Sequence, residues 1–314
     1  MKRIFRKIAA LTASAAMLLS FSACGESKPV GNIADVELSD GDVYAVIKIM
    51  DYGEITAKLF PEVAPQSVKK FRELSERGFY DMKTIHRVID GYAIQGGSLN
   101  GDGTDGEIPD ADYVPVETSE YARHFYGALC FAANSKGSFS QFCIVDNDKP
   151  QDINSAITTL TEQLADEAIV SRLLESDKKY YTDYLNNLKS YPADVVEKYA
   201  SAGGLYQLDG TQTVFGQVID GFDVLEKITS CEVVTGNAID DEKGVPSKPI
   251  NSIVIENIEI IEIKPVETTT EETKKGGKKT TTTAINAETM PTTTETEPVS
   301  ETTTKPIETL VSIG

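Results

Sequence analysis

Between residues 43 and 60 apolar and polar residues alternate in two short runs. Val43-Tyr44-Ala45-Val46-Ile47-Lys48-Ile49-Met50 and Ile55-Thr56-Ala57-Lys58-Leu59-Phe60 are rich in β-branched and aromatic residues. They read as two strands, and Asp51-Tyr52-Gly53-Glu54 joins them into a hairpin. Pro61 stops the second strand, because it lacks the N–H a ladder needs. After Ala64-Pro65-Gln66-Ser67 the period changes. Val68, Phe71 and Leu74 recur at helical spacing and bury one face, and Gly78 ends the helix. Short strands return at Thr84–Val88 and Tyr92–Gln95, followed by a glycine- and aspartate-rich loop from Gly96 to Asp112. Gly127–Ala132, Gln141–Val145 and Val214–Val218 read as strands, Phe222–Ile228 as a helix, and Ile253–Ile261 as the last strand. Many short strands with two short helices predict a mainly β fold, a closed barrel rather than an open α/β sheet.

Residues 150–205 break this rhythm. Ile153, Ile157, Leu160 and Leu164 lie at helical spacing, and Tyr180, Tyr181, Tyr184, Leu185 and Leu188 form a second stripe. Pro192 ends that helix, and Asp194–Ala200 reads as a third, closed by Gly203-Gly204. The segment is an α-helical insertion in a β domain that runs from 43 to 264.

Both ends follow other rules. Lys2, Arg3, Arg6 and Lys7 precede an apolar run from Ile8 to Phe21, the n-region and h-region of an export signal over 1–23. The run is shorter than the roughly 20 apolar residues a membrane span needs. Ser22-Ala23-Cys24-Gly25 resembles the lipobox of bacterial lipoproteins, with Phe21 where Leu or Val is usual. That resemblance implies lipidation of Cys24, a linker over 24–42, and a protein tethered to the outer face of the cell membrane. Ordinary secretion, with cleavage near Ala23, is the alternative. Residues 265–314 hold 17 threonines, eight glutamates and no aromatic residue. Such a segment cannot bury enough apolar surface to offset its chain entropy, so a disordered tail is predicted.

Composition narrows the function. The formal net charge is −19, which disfavours nucleic acid as a partner, since phosphate neutralisation needs clustered Lys and Arg. The four cysteines (24, 130, 143 and 231) form no CxxC pair, and only His86 and His124 are present. A zinc ribbon, a His-rich metal site and a Ser-His-Asp hydrolase are therefore poor readings. No cofactor or metal is expected.

Ile85-His86-Arg87-Val88-Ile89-Asp90-Gly91-Tyr92-Ala93-Ile94-Gln95-Gly96-Gly97 resembles the central signature of the cyclophilin-type peptidyl-prolyl isomerases. Three further pieces match in that family's order. These are Leu59-Phe60-Pro61 with Ala64-Pro65 and Gly78-Phe79-Tyr80-Asp81, then Gly127-Ala128-Leu129 through Ser140-Gln141-Phe142, then Leu208-Asp209-Gly210 with Val214-Phe215-Gly216-Gln217-Val218. The resemblance implies an eight-stranded closed antiparallel barrel with two capping helices. It also implies isomerase (rotamase) activity on prolyl bonds of proline-containing peptides; with the export signal, the expected clients are unfolded exported proteins, and a monomer is expected.

Prolyl isomerisation suits these residues. The peptide bond has partial double-bond character and a rotation barrier of about 18–20 kcal/mol. A donor fixed on the nitrogen of the twisted amide stabilises the transition state more than the planar ground state. Arginine stays protonated and offers rigid donors. The resemblance gives this role to Arg87, and makes Gln95 and Gln141 the residues that hold the substrate backbone and orient the arginine. Tyr92 and Leu208 match walls of the proline pocket. Ala132, with Ala133 or Asn134, matches the peptide-binding edge. Ala93, Cys143, Gln207 and Gln212 stand where methionine, phenylalanine, tryptophan and histidine are usual, so the pocket loses large apolar groups, each contributing roughly 1.5–3 kcal/mol when buried. Retained but weakened catalysis is expected, with Ala93, Cys143 and Gln212 lining the substrate site. The alternative is a peptide-binding or chaperone module that isomerises poorly.

Other candidates have bland readings. Strand alternation points His86 away from Arg87, into a structural hydrogen bond. His124 reads as ordinary surface. Asn100–Glu107 superficially resembles a calcium loop but lacks the glycine at position six and the glutamate at twelve. Cys130 and Cys143 fall on strands that should pair, either as two buried thiols or as a redox-sensitive pair. The insert is either a surface elaboration or a lid and docking surface beside the groove.

Overall fold

A computed structural model describes residues 41–105, 112–241 and 243–263. The export signal, Cys24 and the threonine-rich tail lie outside the described residues.

The alternation over 43–60 forms a hairpin of β1 (Val43–Ile49) and β2 (Gly53–Leu59), paired in full register from Val43↔Leu59 to Ile49↔Gly53. The remaining long strands are β3 (Thr84–Ile89), β4 (Ala93–Gly96), β5 (Ala128–Asn134), β6 (Gly137–Val145), β7 (Thr213–Asp220) and, numbered after a two-strand ribbon, β10 (Ile253–Glu262). They close an antiparallel barrel in the order β1-β10-β3-β4-β6-β5-β7-β2. The chain joins and leaves the barrel side by side, where Gly41 N–H donates to the Ile263 carbonyl at 2.7 Å and Ile263 N–H to the Asp42 carbonyl at 2.9 Å. β6 starts four residues earlier than its sequence pattern predicts, because Gly137 and Ser138 pair with Asn134 and Ala133 of β5, and Ser138 also bonds Val114.

Helix α1 (Pro65–Glu76) follows β2, and α6 (Phe222–Thr229) follows β7. These two strands run antiparallel, so the helices pack at opposite ends of the barrel. The proline at the start of α1 costs no hydrogen bond, since first-turn N–H groups have no partner inside the helix. Val68, Phe71 and Leu74 form its buried face, and Phe71 packs between Tyr80, Phe131, Phe142 and Phe215 with ring centroids 4.9–6.1 Å apart.

The insert folds as α2 (Ile153–Ala165), α3 (Glu167–Val170), α4 (Glu175–Lys189) and α5 (Ala193–Ala202). Ile153, Leu188, Tyr191, Val195 and Tyr199 pack on Phe125 and Tyr206 of the barrel side. The Tyr180 end of the second stripe does not join this core; Tyr180 is 56% exposed and stacks on Tyr184. Gly203 and Gly204 return the chain to the barrel at φ of 77° and 129°. A Cβ there would lie 2.4 Å from the Asn147 carbonyl and 2.3 Å from that of His124, so only glycine fits the junction.

Two features after β7 carry no periodic signal: a ribbon of β8 (Val233–Val234) and β9 (Lys248–Pro249), and between them the short helix α7 (Ala238–Asp241).

Candidate active site

Strand period 2 sends alternate side chains to opposite faces. On β4, β5, β6 and β7 the inward set is Ile94, Leu129, Phe131, Phe142, Ile144 and Phe215, all in the main core. The outward set is also apolar. Ala128, Cys130, Cys143, Val145 and Val214 form a second cluster with Phe60 and Leu205, edged by the half-buried Tyr92, Ala132 and Leu208. These groups are themselves buried, so the cluster is a second core on the outer face of the barrel, and its half-buried edge of Tyr92, Ala132 and Leu208 is the part that meets solvent.

Arg87 stands at the rim of this shelf, put there by a β-bulge. Ile85 pairs with Gly96 and Arg87 with Gln95, so His86 is the extra residue. A bulge re-aims the next side chain. His86 is thereby turned beneath Gly103 and buried there, beside the Thr84 backbone and facing Asp102 and Asp105. Burial pushes its imidazole down to about 4, leaving it neutral at neutral pH.

The guanidinium is held from two sides. Its Cζ lies 5.3 Å from the centroid of the Tyr92 ring. Arg87 Nε donates to Asp240 Oδ2 at 2.6 Å and Nη2 to Asp240 Oδ1 at 2.9 Å. Asp240 also accepts from Ser247 Oγ at 2.5 Å, and its side chain is only 2% exposed. Burial alone would raise the Asp240 carboxyl; the Arg87 and Ser247 bonds more than offset it and hold the carboxyl below its usual range. Burial likewise opposes the charge on Arg87, and Asp240 more than restores it.

Neither glutamine side chain hydrogen-bonds the guanidinium, although Gln95 pairs with Arg87 across β3 and β4. Gln95 Nε2 donates to Gln141 Oε1 at 2.7 Å, and Gln141 Nε2 donates to Asp105 Oδ2 at 3.1 Å. Asp105 also ties the preceding loop, accepting from Ser98 Oγ, Leu99 N and Asn100 N at 2.6–2.8 Å. Its oxygens are thus engaged in closing the loop that resembled a calcium site. The relay fixes both amide orientations and leaves Gln95 Oε1 as its remaining acceptor. The side-chain hydrogen-bond partner of Arg87 in the structure is Asp240, while Gln95 and Gln141 bond each other and Asp105.

The other predicted residues fall as follows. Cys143 pairs across the sheet with both Gln95 and Cys130. Cys130 and Cys143 are free thiols, and Cys130 Sγ lies 3.7 Å from the Cys143 carbonyl oxygen. Ala93 is buried opposite Val145 at the base of the shelf. Ala132 occupies a bulge in β5, and Ala133 pairs with Ser138. Leu208 closes a single 3-10 turn, Tyr206–Leu208, and Gln212 N–H bonds back to its carbonyl at 3.3 Å. The Gln212 amide oxygen is buried without a partner. Gln207 is exposed. His124 is not surface: it is 1% exposed, and its Nδ1 lies 2.8 Å from Asp209 Oδ1.

Asp209, Asp240 and Asp105 are the residues that sequence reasoning missed. Asp209 had a local signal in Leu208-Asp209-Gly210 and Asp105 in the acidic loop Asn100–Glu107, whereas Asp240 had none.

The site is thus a closed antiparallel barrel with an apolar cluster on its outer face and a clamped guanidinium beside it. The family described as "Cyclophilin type peptidyl-prolyl cis-trans isomerase/CLD" matches residues 44–178 and 195–260. A provisionally named peptidyl-prolyl cis-trans isomerase of Staphylococcus saprophyticus is 33% identical over 224 residues, 71% of this chain and 94% of that protein. One of Staphylococcus aureus, also provisionally named, is 34% identical over 230 residues, 72% and 95% of the two chains. Among solved structures, a cyclophilin-type peptidyl-prolyl cis-trans isomerase of Cryptosporidium parvum aligns with TM-score 0.44 and 23% identity, covering 70% of this chain and 97% of that one. The chain belongs to the cyclophilin-type peptidyl-prolyl isomerase family. It is a peptidyl-prolyl cis-trans isomerase.

Proposed function

We propose that Arg87 is the catalytic donor and that the shelf beside it receives the proline ring. The observation that carries this reading is the bidentate clamp on Arg87, which leaves three of the five guanidinium N–H groups uncommitted at the rim of the apolar cluster. A prolyl residue seated against Tyr92, Ala132, Cys143 and Leu208 would bring its amide nitrogen to those donors. As the amide twists, resonance is lost and the nitrogen gains a lone pair, which a positioned N–H stabilises. Gln95 Oε1 is the acceptor for a substrate N–H, and Ala133 lies along the same peptide edge. No bond is made or broken, so no nucleophile is required.

The clients are proline-containing segments of proteins folding outside the cytoplasmic membrane, and the enzyme acts as a lipid-tethered monomer. Support comes from the export signal and the Ser22-Ala23-Cys24-Gly25 motif. Each buried acyl methylene contributes about 0.8 kcal/mol, so two or three chains on Cys24 suffice for stable anchoring. Cys24→Ala should move the protein from the membrane to the soluble fraction; unchanged membrane partition would sink the tether.

A second reading, chaperone-like peptide binding with slow turnover, is favoured by the small side chains at Ala93 and Cys143, where larger residues are usual in the family. Prolyl exchange on a short Ala-Pro peptide, with full-length protein and Arg87→Ala, separates the two. The proposed mechanism expects acceleration that falls at least about tenfold in the variant, equivalent to about 1.4 kcal/mol of transition-state stabilisation. Equal acceleration by both proteins would remove Arg87 from the chemistry.

A further inference from the structure

We infer that Asp240 is a positioning residue for the isomerase, holding the Arg87 guanidinium in its working orientation from a segment outside the barrel.

Arginine has a long side chain with several rotatable bonds, and freezing it against a substrate is entropically costly. Here the freezing is done beforehand. Nε and one Nη2 hydrogen are spent on Asp240, which fixes the guanidinium plane and turns the opposite edge, with both Nη1 hydrogens, away from the carboxylate. Tyr92 faces the guanidinium group. Donors oriented before the reaction need no reorganisation when the amide twists.

The carboxylate is itself immobile. Ser247 Oγ takes a further bond to Oδ2. Asp240 N–H bonds to the Asn237 carbonyl and its own carbonyl accepts from Val245 N–H, each at 3.0 Å. Gly236 N–H is held by the Asp241 carboxylate at 2.8 and 2.9 Å. The β8–β9 ribbon closes the base of the loop. Val88 N–H, next in chain to Arg87, bonds to the Ser247 carbonyl at 2.8 Å. Loop and catalytic strand are therefore registered to each other through the backbone as well as through the ion pair. An autoinhibitory latch would be expected to cover the donors needed for substrate and to be free to leave. This contact takes the Nε edge and is embedded at both ends.

The inference rests on the reading of Arg87 as catalytic donor, and the test separates the two. In full-length protein, Ala-Pro peptide exchange and peptide affinity are measured by NMR for wild type, Asp240→Asn, Asp240→Ala, Arg87→Ala and the Asp240→Ala/Arg87→Ala double variant. The Arg87 Nε–Hε resonance is followed alongside. Asp240→Asn preserves side-chain size but can accept only one of the two N–H groups. It should move the Nε–Hε resonance and speed its exchange with water. It should also lower catalysed exchange about tenfold, with peptide affinity changed less than threefold. Adding Asp240→Ala to Arg87→Ala should cost nothing further. Wild-type exchange rates in Asp240→Asn, or an equal loss from Asp240→Ala with and without Arg87, would overturn the inference while leaving the arginine reading intact. Full activity in Arg87→Ala would overturn both. If Asp240→Ala fails to fold, the rate and resonance of Asp240→Asn decide.

Discussion

The position of Arg87 is set by what happens to its neighbours. A bulge spends His86 so that Arg87 points out, and the glycines that follow Gln95 let the loop pass close to the sheet. Gly97 shows how narrow that passage is. Its φ is 79°, and a Cβ would lie 2.7 Å from both the Ser140 carbonyl and the Tyr80 ring. Gly97→Ala combines left-handed backbone strain with a backbone collision, and strain alone costs about 1–3 kcal/mol. Urea unfolding of Gly97→Ala should show a loss of at least about 2 kcal/mol; a wild-type midpoint would mean the loop has room to yield. Arg87, Gln95, Gln141, Cys143 and Tyr92 stood out in the sequence because they belong to contiguous motifs that resemble a family signature, and the structure places them on β3, β4, β6 and the β3–β4 turn. Asp240 did not. It lies 153 residues from Arg87, in a segment with no periodicity, and a single carboxylate among many in so acidic a chain carries no mark.

At the scale of elements, the insert is fastened to the groove at one buried carboxylate. Asp209, next to Leu208, accepts from Tyr191 and Tyr199 hydroxyls of the insert at 2.7 and 2.8 Å and from His124 of the barrel side. Arg123 lies 3.6 Å from the same carboxylate and over the Tyr191 ring. Burial would raise the Asp209 carboxyl, but the His124 and tyrosine bonds hold it below the usual range. Hydrogen bonds to charged groups contribute about 1.5–3 kcal/mol. Tyr199→Phe should therefore lower unfolding free energy by about that amount, with little effect on peptide turnover, since Tyr191 still holds Asp209. Stability unchanged within 0.5 kcal/mol, on the order of ordinary surface substitutions, would contradict this. Deleting 151–204 removes both hydroxyls and uncovers Phe125 and Tyr206, so the shortened chain should be far less stable than either tyrosine variant. The helical stripes announced the insert, but the exposed Tyr180 shows that apolar spacing alone does not say which end of a stripe is covered.

For the molecule as a whole, two buried groups set opposing acid responses. His86, facing Asp102, Asp105 and Arg87, has its pKa lowered by burial to about 4. Between that value and its unfolded value near 6.5 the unfolded chain binds more protons here, so this group makes stability rise with pH. Asp146, facing Asp90 and Asp148 and bonded by the Gly91 N–H, has its pKa raised by burial to about 6. Between 3.8 and that value the folded chain binds more protons here, so this group makes stability fall with pH. The two slopes overlap and oppose each other. Asp209 and Asp240, both lowered, act below this window and lose their contribution only in stronger acid. Asp146→Asn should therefore unmask the histidine. Its melting temperature should climb from pH 4.5 to pH 6, where that of the wild type is flatter, and parallel profiles would refute the opposition. None of this was legible beforehand, because burial of a single His or Asp is decided by tertiary packing rather than by its neighbours in sequence.

The ring order has a further consequence. In an eight-membered ring, β1 stands across from β6, and β10 across from β5. The strands where the chain comes in and goes out are thus diametrically opposed to those carrying Gln141, Cys143 and Ala132. The molecule has a handle on its back. Held by either end, on a bead through residue 41 or residue 263, it should keep its solution turnover, whereas fixation through an exposed residue of the groove rim should not.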